Sequence, residues 1–337
     1  MRRLAPALVG LAALGLAAAP VAAAAPGRTE LFTFTDPAIT ESSGLVLLAS
    51  GAASGLVVTT NDSGDTGRVF VVDPATGDTV GTTTWSDDPV DVEALAPAVR
   101  GSRVWVADIG DNNAVRSSVQ VTRVPVARGD LDARGDVTTY TLVYADGARD
   151  AESLLVHPVT GRLVVMSKGL LGGYVYTAPE RLDAGAENEL EPVGTTIGIA
   201  TDAAFLPDGR HLVVRDYSRA VVYTWPGLEQ VARVDLPEQD QGEGIAVDGY
   251  RGVLVSSEGA GSPVWEVPWP ADVRREVRPE RGATTDPTAS PEPAGSLLDD
   301  DPEAIGWDPL TSPWVWLVLG GTAAVVALSV ATGRRRR

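Results

Sequence analysis

Ser43-Gly44-Leu45, Glu93-Ala94-Leu95, Glu152-Ser153-Leu154, Ala203-Ala204-Phe205 and Glu243-Gly244-Ile245 are five versions of one phrase, and their reading decides the fold. Counted from the middle residues 44, 94, 153, 204 and 244, successive copies lie 50, 59, 51 and 40 residues apart. That period suits a four-stranded propeller blade better than a helical solenoid. Each phrase opens a short apolar strand. A turn follows, such as His157-Pro158-Val159-Thr160-Gly161 or Pro207-Asp208-Gly209, and then a β-rich run returns, at Leu56–Thr60, Val104–Ala107, Leu163–Met166, Leu212–Val214 and Val253–Val255. Third strands are expected at Arg68–Asp73, Val119–Val124, Tyr174–Thr177, Ala220–Trp225 and Val264–Val267, with outer strands near Thr79–Trp85, Thr138–Tyr144, Val193–Ile197 and Val231–Leu236. The fifth unit lacks a clear outer strand, and the alternating Leu31–Thr35 is placed to supply it and close the ring. The expectation is an all-β chain with a five-bladed β-propeller over 29–270. Six blades are the alternative, since Pro302–Trp307 echoes the phrase, but no strand pair follows it.

The ends of the chain suggest where this domain sits. Met1-Arg2-Arg3 followed by an alanine-rich apolar run, with small residues near Ala23–Ala25, reads as a secretory signal over 1–25. Residues 271–312, rich in Pro, Thr, Ser, Asp and Glu, read as a stalk. Pro313–Gly333 is an uncharged stretch long enough to span a bilayer as a helix, and Arg334–Arg337 behind it place the C-terminus in the cytoplasm. The expected product is a single-pass protein of the cell membrane with its ectodomain outside, a monomer whose partners are the membrane and an extracellular ligand or envelope component.

Composition narrows the chemistry. A formal net charge of −18 argues against nucleic-acid binding. The absence of cysteine excludes disulfides, thiol nucleophiles and thiolate metal sites. Lys168 is the only lysine.

Phe70–Thr82 resembles a blade of bacterial surface propellers of the YVTN type. Glu41-Ser42-Ser43-Gly44-Leu45, Thr60-Asn61-Asp62-Ser63-Gly64-Asp65, Ala107-Asp108-Ile109-Gly110-Asp111-Asn112, Asp150-Ala151-Glu152 and Gln241-Gly242-Glu243 together resemble exported bacterial propellers grouped with esterase-like phytases and SdiA-regulated proteins. The resemblance covers about residues 30 to 270 and implies the fold more than any activity.

In a propeller the loops entering the first strands and leaving the second strands open on one face. That face is expected to collect Asn61, Asp62, Asp65, Asp91, Glu93, Asp108, Asp111, Asn112, Asp150, Glu152, Asp202, Asp216, Glu243 and Glu258, with Lys168 and Arg215 as its chief cations. Calcium takes six to eight oxygen ligands, so Asp62, Glu93, Asp108, Asp150, Glu152 and Glu243 are the candidate metal ligands. The alternative is a solvated, turn-rich acidic rim. Ser63–Phe70 fits the Asp-box of sialidases, but a single copy in a loop between second and third strands reads as a structural turn.

His157 and His211 fall in turns on the opposite face, which disfavours a Ser-His-Asp hydrolase. A catalytic reading uses Glu152 or Glu243 as carboxylate base, with Lys168 or Arg215 holding an anionic substrate group. Two functions follow: a surface module binding a ligand or partner, or a calcium-dependent esterase or phosphatase working at the acidic mouth.

Overall fold

The computed structural model describes residues 27–62, 64–85 and 89–277. The expected signal peptide, the membrane helix at 313–333, the basic tail at 334–337 and all of the stalk beyond residue 277 lie outside these residues. Among the described residues no helix is long and apolar enough to cross a membrane.

The chain is all-β. β1 (Thr29–Thr33) comes first, followed by the antiparallel meander β2 (Ser42–Leu47), β3 (Val57–Asn61), β4 (Arg68–Val72) and β5 (Thr79–Thr84). A second meander contains β6 (Val92–Pro97), β7 (Arg103–Asp108) and β8 (Val119–Pro125). The two-residue β9 (Leu131–Asp132) then crosses back to β5, and β10 (Thr138–Tyr144) completes the second sheet. The third meander is β11 (Ala151–Val156), β12 (Leu163–Ser167), β13 (Gly173–Thr177) and β14 (Glu187–Thr196); the fourth is β15 (Asp202–Phe205), β16 (His211–Arg215), β17 (Arg219–Thr224) and β18 (Gln230–Asp235). The last has β19 (Gly242–Asp248), β20 (Gly252–Ser257) and β21 (Pro263–Pro268). Its fourth strand is β1, paired antiparallel with β21 from Thr29↔Glu266 to Thr33↔Pro263.

The sequence pattern explains which strands lie where. β3 and β12 carry no charged residue and are buried at every position, because both of their faces are covered. The outer strands β14 and β18 alternate buried and exposed residues in places, as half-covered strands do. Edges are shielded by pairing. β9 runs parallel to β5, and β10 runs parallel to β14 from Thr141↔Glu187 to Tyr144↔Leu190, which fuses the second and third meanders into one eight-stranded sheet. Asn188 pins that junction by donating to the carbonyls of Thr141, Asp183 and Ala186.

The first strands of the meanders pack side by side in a closed circuit: β2 on β6, β6 on β11, β11 on β15, β15 on β19, and β19 on β2. The apolar core is divided accordingly into five layers, each shared by two neighbouring meanders. The layer holding Phe32, Phe34, Leu45, Phe70, Ala246 and Leu254 joins the last sheet to the first. The small middle residue of the repeated phrase now has a cause. A Cβ on Gly44 would stand 2.5 Å from the Leu95 amide nitrogen, and one on Gly244 would stand 2.8 Å from Leu45 Cβ, so neighbouring inner strands approach too closely there for a larger side chain.

The segment from residue 271, assigned to the stalk on composition, begins instead with α1 (Ala271–Glu276). Val273 and Val277 are fully buried with Trp269 in the layer between the fourth and fifth sheets, so the packed domain continues past residue 270.

Candidate functional site

All five inner strands start at one end of the circuit, and their second strands finish there. The registers Ser42↔Asn61, Val92↔Asp108, Ala151↔Ser167, Asp202↔Arg215 and Gly242↔Ser257 bring the expected acidic residues together at that end. Four of the inner strands carry a β-bulge there. The ladder skips Ser43 in β2, Glu93 in β6, Glu152 in β11, and Glu243 with Gly244 in β19. A bulge leaves its extra residue unpaired and redirects its side chain. The polar first residue of the phrase is therefore the residue freed from the ladder. β15 has no bulge: Ala203, opposite Val214, takes the place of Gly44, Ala94 and Ser153, so the fourth copy of the phrase is displaced by one residue from the expected alignment on Ala204. Its Asp202 is fully buried and accepts from the amides of Ala203 and Ile245 at 2.8 Å each. Burial still pushes that carboxyl well above the usual range.

Glu93, Glu152 and Glu243 form a buried acidic floor. Glu152 accepts from Lys168 Nζ at 2.7 Å; burial raises its carboxyl to about 7, against the pull of the ammonium. Burial is the largest single influence on Lys168 and would depress it, but the charge and hydrogen bond of Glu152, with Tyr217 and Glu243 nearby, together hold the ammonium above its ordinary value. Glu243 is only 4% exposed, and its Oε2 has no hydrogen-bond partner. Burial, followed by the Glu152 charge, lifts Glu243 to about 8. For Glu93, burial and then the charges of Glu152, Asp62 and Asp91 push the carboxyl to about 10.

One wall of this floor gathers carboxylates most tightly. Asp62, Asp91 and Glu93 each offer an oxygen within 4.8 Å of the others. Burial, with the charges of Asp62 and Asp150, raises Asp91 to about 6. Gly110 lies directly against the pair: a Cβ there would stand 2.4 Å from Asp91 Oδ2 and 2.6 Å from Glu93 Oε1. Three hard oxygen donors suit calcium, which favours carboxylates and completes its shell with carbonyls or water.

Other expected residues hold the frame. Asp108 accepts from the amides of Val90 and Asp91 and pairs with Arg116 at 2.8 Å. Asp111 accepts from the amides of Val115 and Arg116, and Asp150 Oδ1 accepts from the Asp111 amide at 2.9 Å. Asp108 and Asp150, both named as metal ligands from sequence, are thus engaged in fixing two loops: Asp108 holds the segment of Val90 and Asp91 that enters β6, and Asp150 the segment of Asp111 that leaves β7. Asp65 accepts from Thr66, Asn61 and Arg68, so the isolated Asp-box is a turn staple.

Arg215 corrects the expectation of a substrate clamp. It is fully buried, and its guanidinium donates to the carbonyls of Gly244, Ser256 and Asp216 and to Gln239 Oε1. Burial lowers it to about 10. Its work is to tie β16 to β19 and β20. The histidines lie at the opposite end as expected: His211 Nδ1 contacts Asp208 Oδ2 at 2.7 Å, and His157 Nε2 contacts the Gly209 carbonyl at 3.0 Å.

The rim of the acidic end was not foreseen. Val90, Val115, Leu170 and Leu171 stand in its loops and are strongly exposed, Leu171 at 99%. Tyr217 joins them, with the Lys168 ammonium 5.8 Å from its ring centre. The leucine pair does have a sequence signal, Lys168-Gly169-Leu170-Leu171-Gly172-Gly173: two large apolar residues inside a glycine-flanked turn have no core to enter.

No protein-family model matches this chain, and no curated protein matches its sequence.

Proposed function

We propose that this protein is a five-bladed propeller tethered to the cell surface, and that it serves as a binding module whose acidic mouth holds a hard divalent cation, calcium, at Asp62, Asp91 and Glu93. The single observation that carries the reading is an acidic floor framed by an exposed apolar rim, while the cations beside it are already engaged. Lys168 is paired with Glu152, Arg116 with Asp108, Arg219 with Asp216, and Arg215 is buried. A hydrolase for anionic esters needs a free cationic group to hold its substrate; a docking surface needs apolar area and complementary charge. The meanders, their five shared core layers and the circuit of inner strands support the propeller assignment. The extracellular partner is an envelope component or ligand that presents positive charge beside apolar groups, or that coordinates the bound cation.

The raised carboxyls fit cation binding. In the absence of metal, protons neutralise the crowded charges, and a divalent ion takes over that role by displacing them. One feature favours the calcium-dependent hydrolase as a second reading: Glu152, at about 7, is poised near neutrality as a general base must be.

The test is calorimetric titration of the chelator-treated protein with calcium chloride, alongside assays on p-nitrophenyl acetate and p-nitrophenyl phosphate. The expected result is binding abolished in the Asp91→Asn/Glu93→Gln double variant, with no turnover of either ester. Turnover that requires calcium and disappears in Glu152→Gln would establish the hydrolase instead. No heat in any buffer would remove the metal from the site.

A further inference from the structure

The other end of the same circuit encloses a second site of opposite character. Towards the turns the five inner strands surround a cavity of about 240 Å³, lined by residues such as Leu47, Pro97, Val156, Ala204 and Val247. Among the residues that line it, none is charged. A dry apolar cavity of about 150 Å³ holds benzene, so by proportion this one accommodates roughly ten carbon atoms.

The turns that frame its opening have their own charge. Joining first to second strands, they carry Arg100, Arg162, Arg210 and Arg251 against only two acids, Asp208 and Asp248. Both acids are committed, Asp208 to His211 and Asp248 to Arg251. Arg100 and Arg210 are exposed and form no ion pair among the described residues. An apolar well within an arginine-bearing rim is complementary to one class of molecule.

We propose that this end of the channel binds a free, single-chain anionic amphiphile: an unbranched alkyl chain of about ten carbons occupies the cavity, and its carboxylate or phosphate head rests on Arg100 and Arg210. The chain gains by leaving water, and the head keeps its solvation at the rim while meeting uncommitted guanidinium groups. The site lies at the opposite end from the acidic mouth, so it stands or falls independently of the cation proposed there.

The experiment titrates the full chain with hexanoate, octanoate, decanoate and dodecanoate, with decanol as the uncharged counterpart, in one buffer containing chelator. Each methylene that enters the cavity is expected to tighten binding about fourfold, levelling off near ten carbons. Ala204→Trp, which fills the cavity from its wall, is expected to abolish binding. The double variant Arg100→Glu/Arg210→Glu changes only exposed residues, and it should weaken decanoate at least tenfold while leaving decanol unchanged. Affinity indifferent to chain length, or decanoate binding equal in wild type and both variants, overturns the proposal. A further arm uses vesicles containing anionic phospholipid: capture by vesicles with no binding of free decanoate would assign the arginine face to a membrane surface and overturn the proposal equally.

Discussion

Five inner strands run from one end of the channel to the other, yet the two ends obey different physics. At the turn end they present leucine, valine, alanine and phenylalanine to a cavity, and the paired polar groups around it are satisfied. At the acidic end four of the same strands carry bulges, and there lie buried like charges and polar atoms such as Glu243 Oε2 and Ser153 Oγ that lack partners. One half of each strand follows the rules of stable packing, and the other half departs from them. Departures of this kind cost stability and are expected where a site has been built. The comparison teaches that the bulge, one extra residue in an otherwise regular ladder, separates scaffold from site within a single strand.

The largest effect that would sharpen the contrast comes from the apolar half. Leu154→Ala removes a fully buried side chain and should destabilise the domain by about 3 kcal/mol in denaturant unfolding. An effect below about 1 kcal/mol would mean that this end is loosely packed, and the contrast would collapse.

At the acidic half the sign should reverse. Glu243→Gln removes a buried charge from among like charges, and in chelator at pH 8 it should stabilise the protein by on the order of 1 kcal/mol. The pH profile follows from the same groups. Asp91, Glu152, Glu243 and Glu93 are raised to about 6, 7, 8 and 10, above their unfolded values near 4. Protonated in the folded state, they contribute stability that is complete below the unfolded values and is lost as pH rises through the folded ones. The melting temperature in chelator should therefore fall between pH 5 and pH 9, with a shallower slope in Glu243→Gln and a restored plateau with calcium. A melting temperature that climbs over this range would show that the carboxylates are ordinary, well-solvated acids.

The smallest expected stability change belongs to the rim. Leu171→Asp alters a side chain 99% exposed and should shift stability by less than about 0.5 kcal/mol, while weakening partner binding if the rim docks one. A marked loss of stability would show that the loop packs on something within the protein itself.

Much of this organisation was legible beforehand because strand periodicity and turn residues are local signals. The outer strand expected at Thr138–Tyr144 is found there, and the contribution of the N-terminal strand to the last sheet follows from the missing fourth strand. What escaped depends on distant partners. The parallel pairing of β10 with β14 joins residues 46 positions apart, such as Thr141 and Glu187, and no local pattern announces it. β14 accordingly begins at Glu187, upstream of the strand expected from Val193. For the site, grouping the acids on one face required only strand direction. Placing them required hydrogen bonds: Asp108 and Asp150 look like any other acid in sequence, and only the amides they accept from show that they brace the loops entering β6 and leaving β7. The role of Arg215 was hidden for the same reason, since an arginine ending a strand reads as exposed until the neighbouring sheet is folded over it.

The pairing of β1 with β21 makes the domain a clasp. β1 is made well before its partner β21, so neither the sheet they share nor the core layer around Phe32 and Phe34 can close until all the intervening strands exist. Until then the row of unpaired amides on β1 and the apolar edge behind it are left open, and that interval is when this chain is most exposed to pairing with another copy of itself.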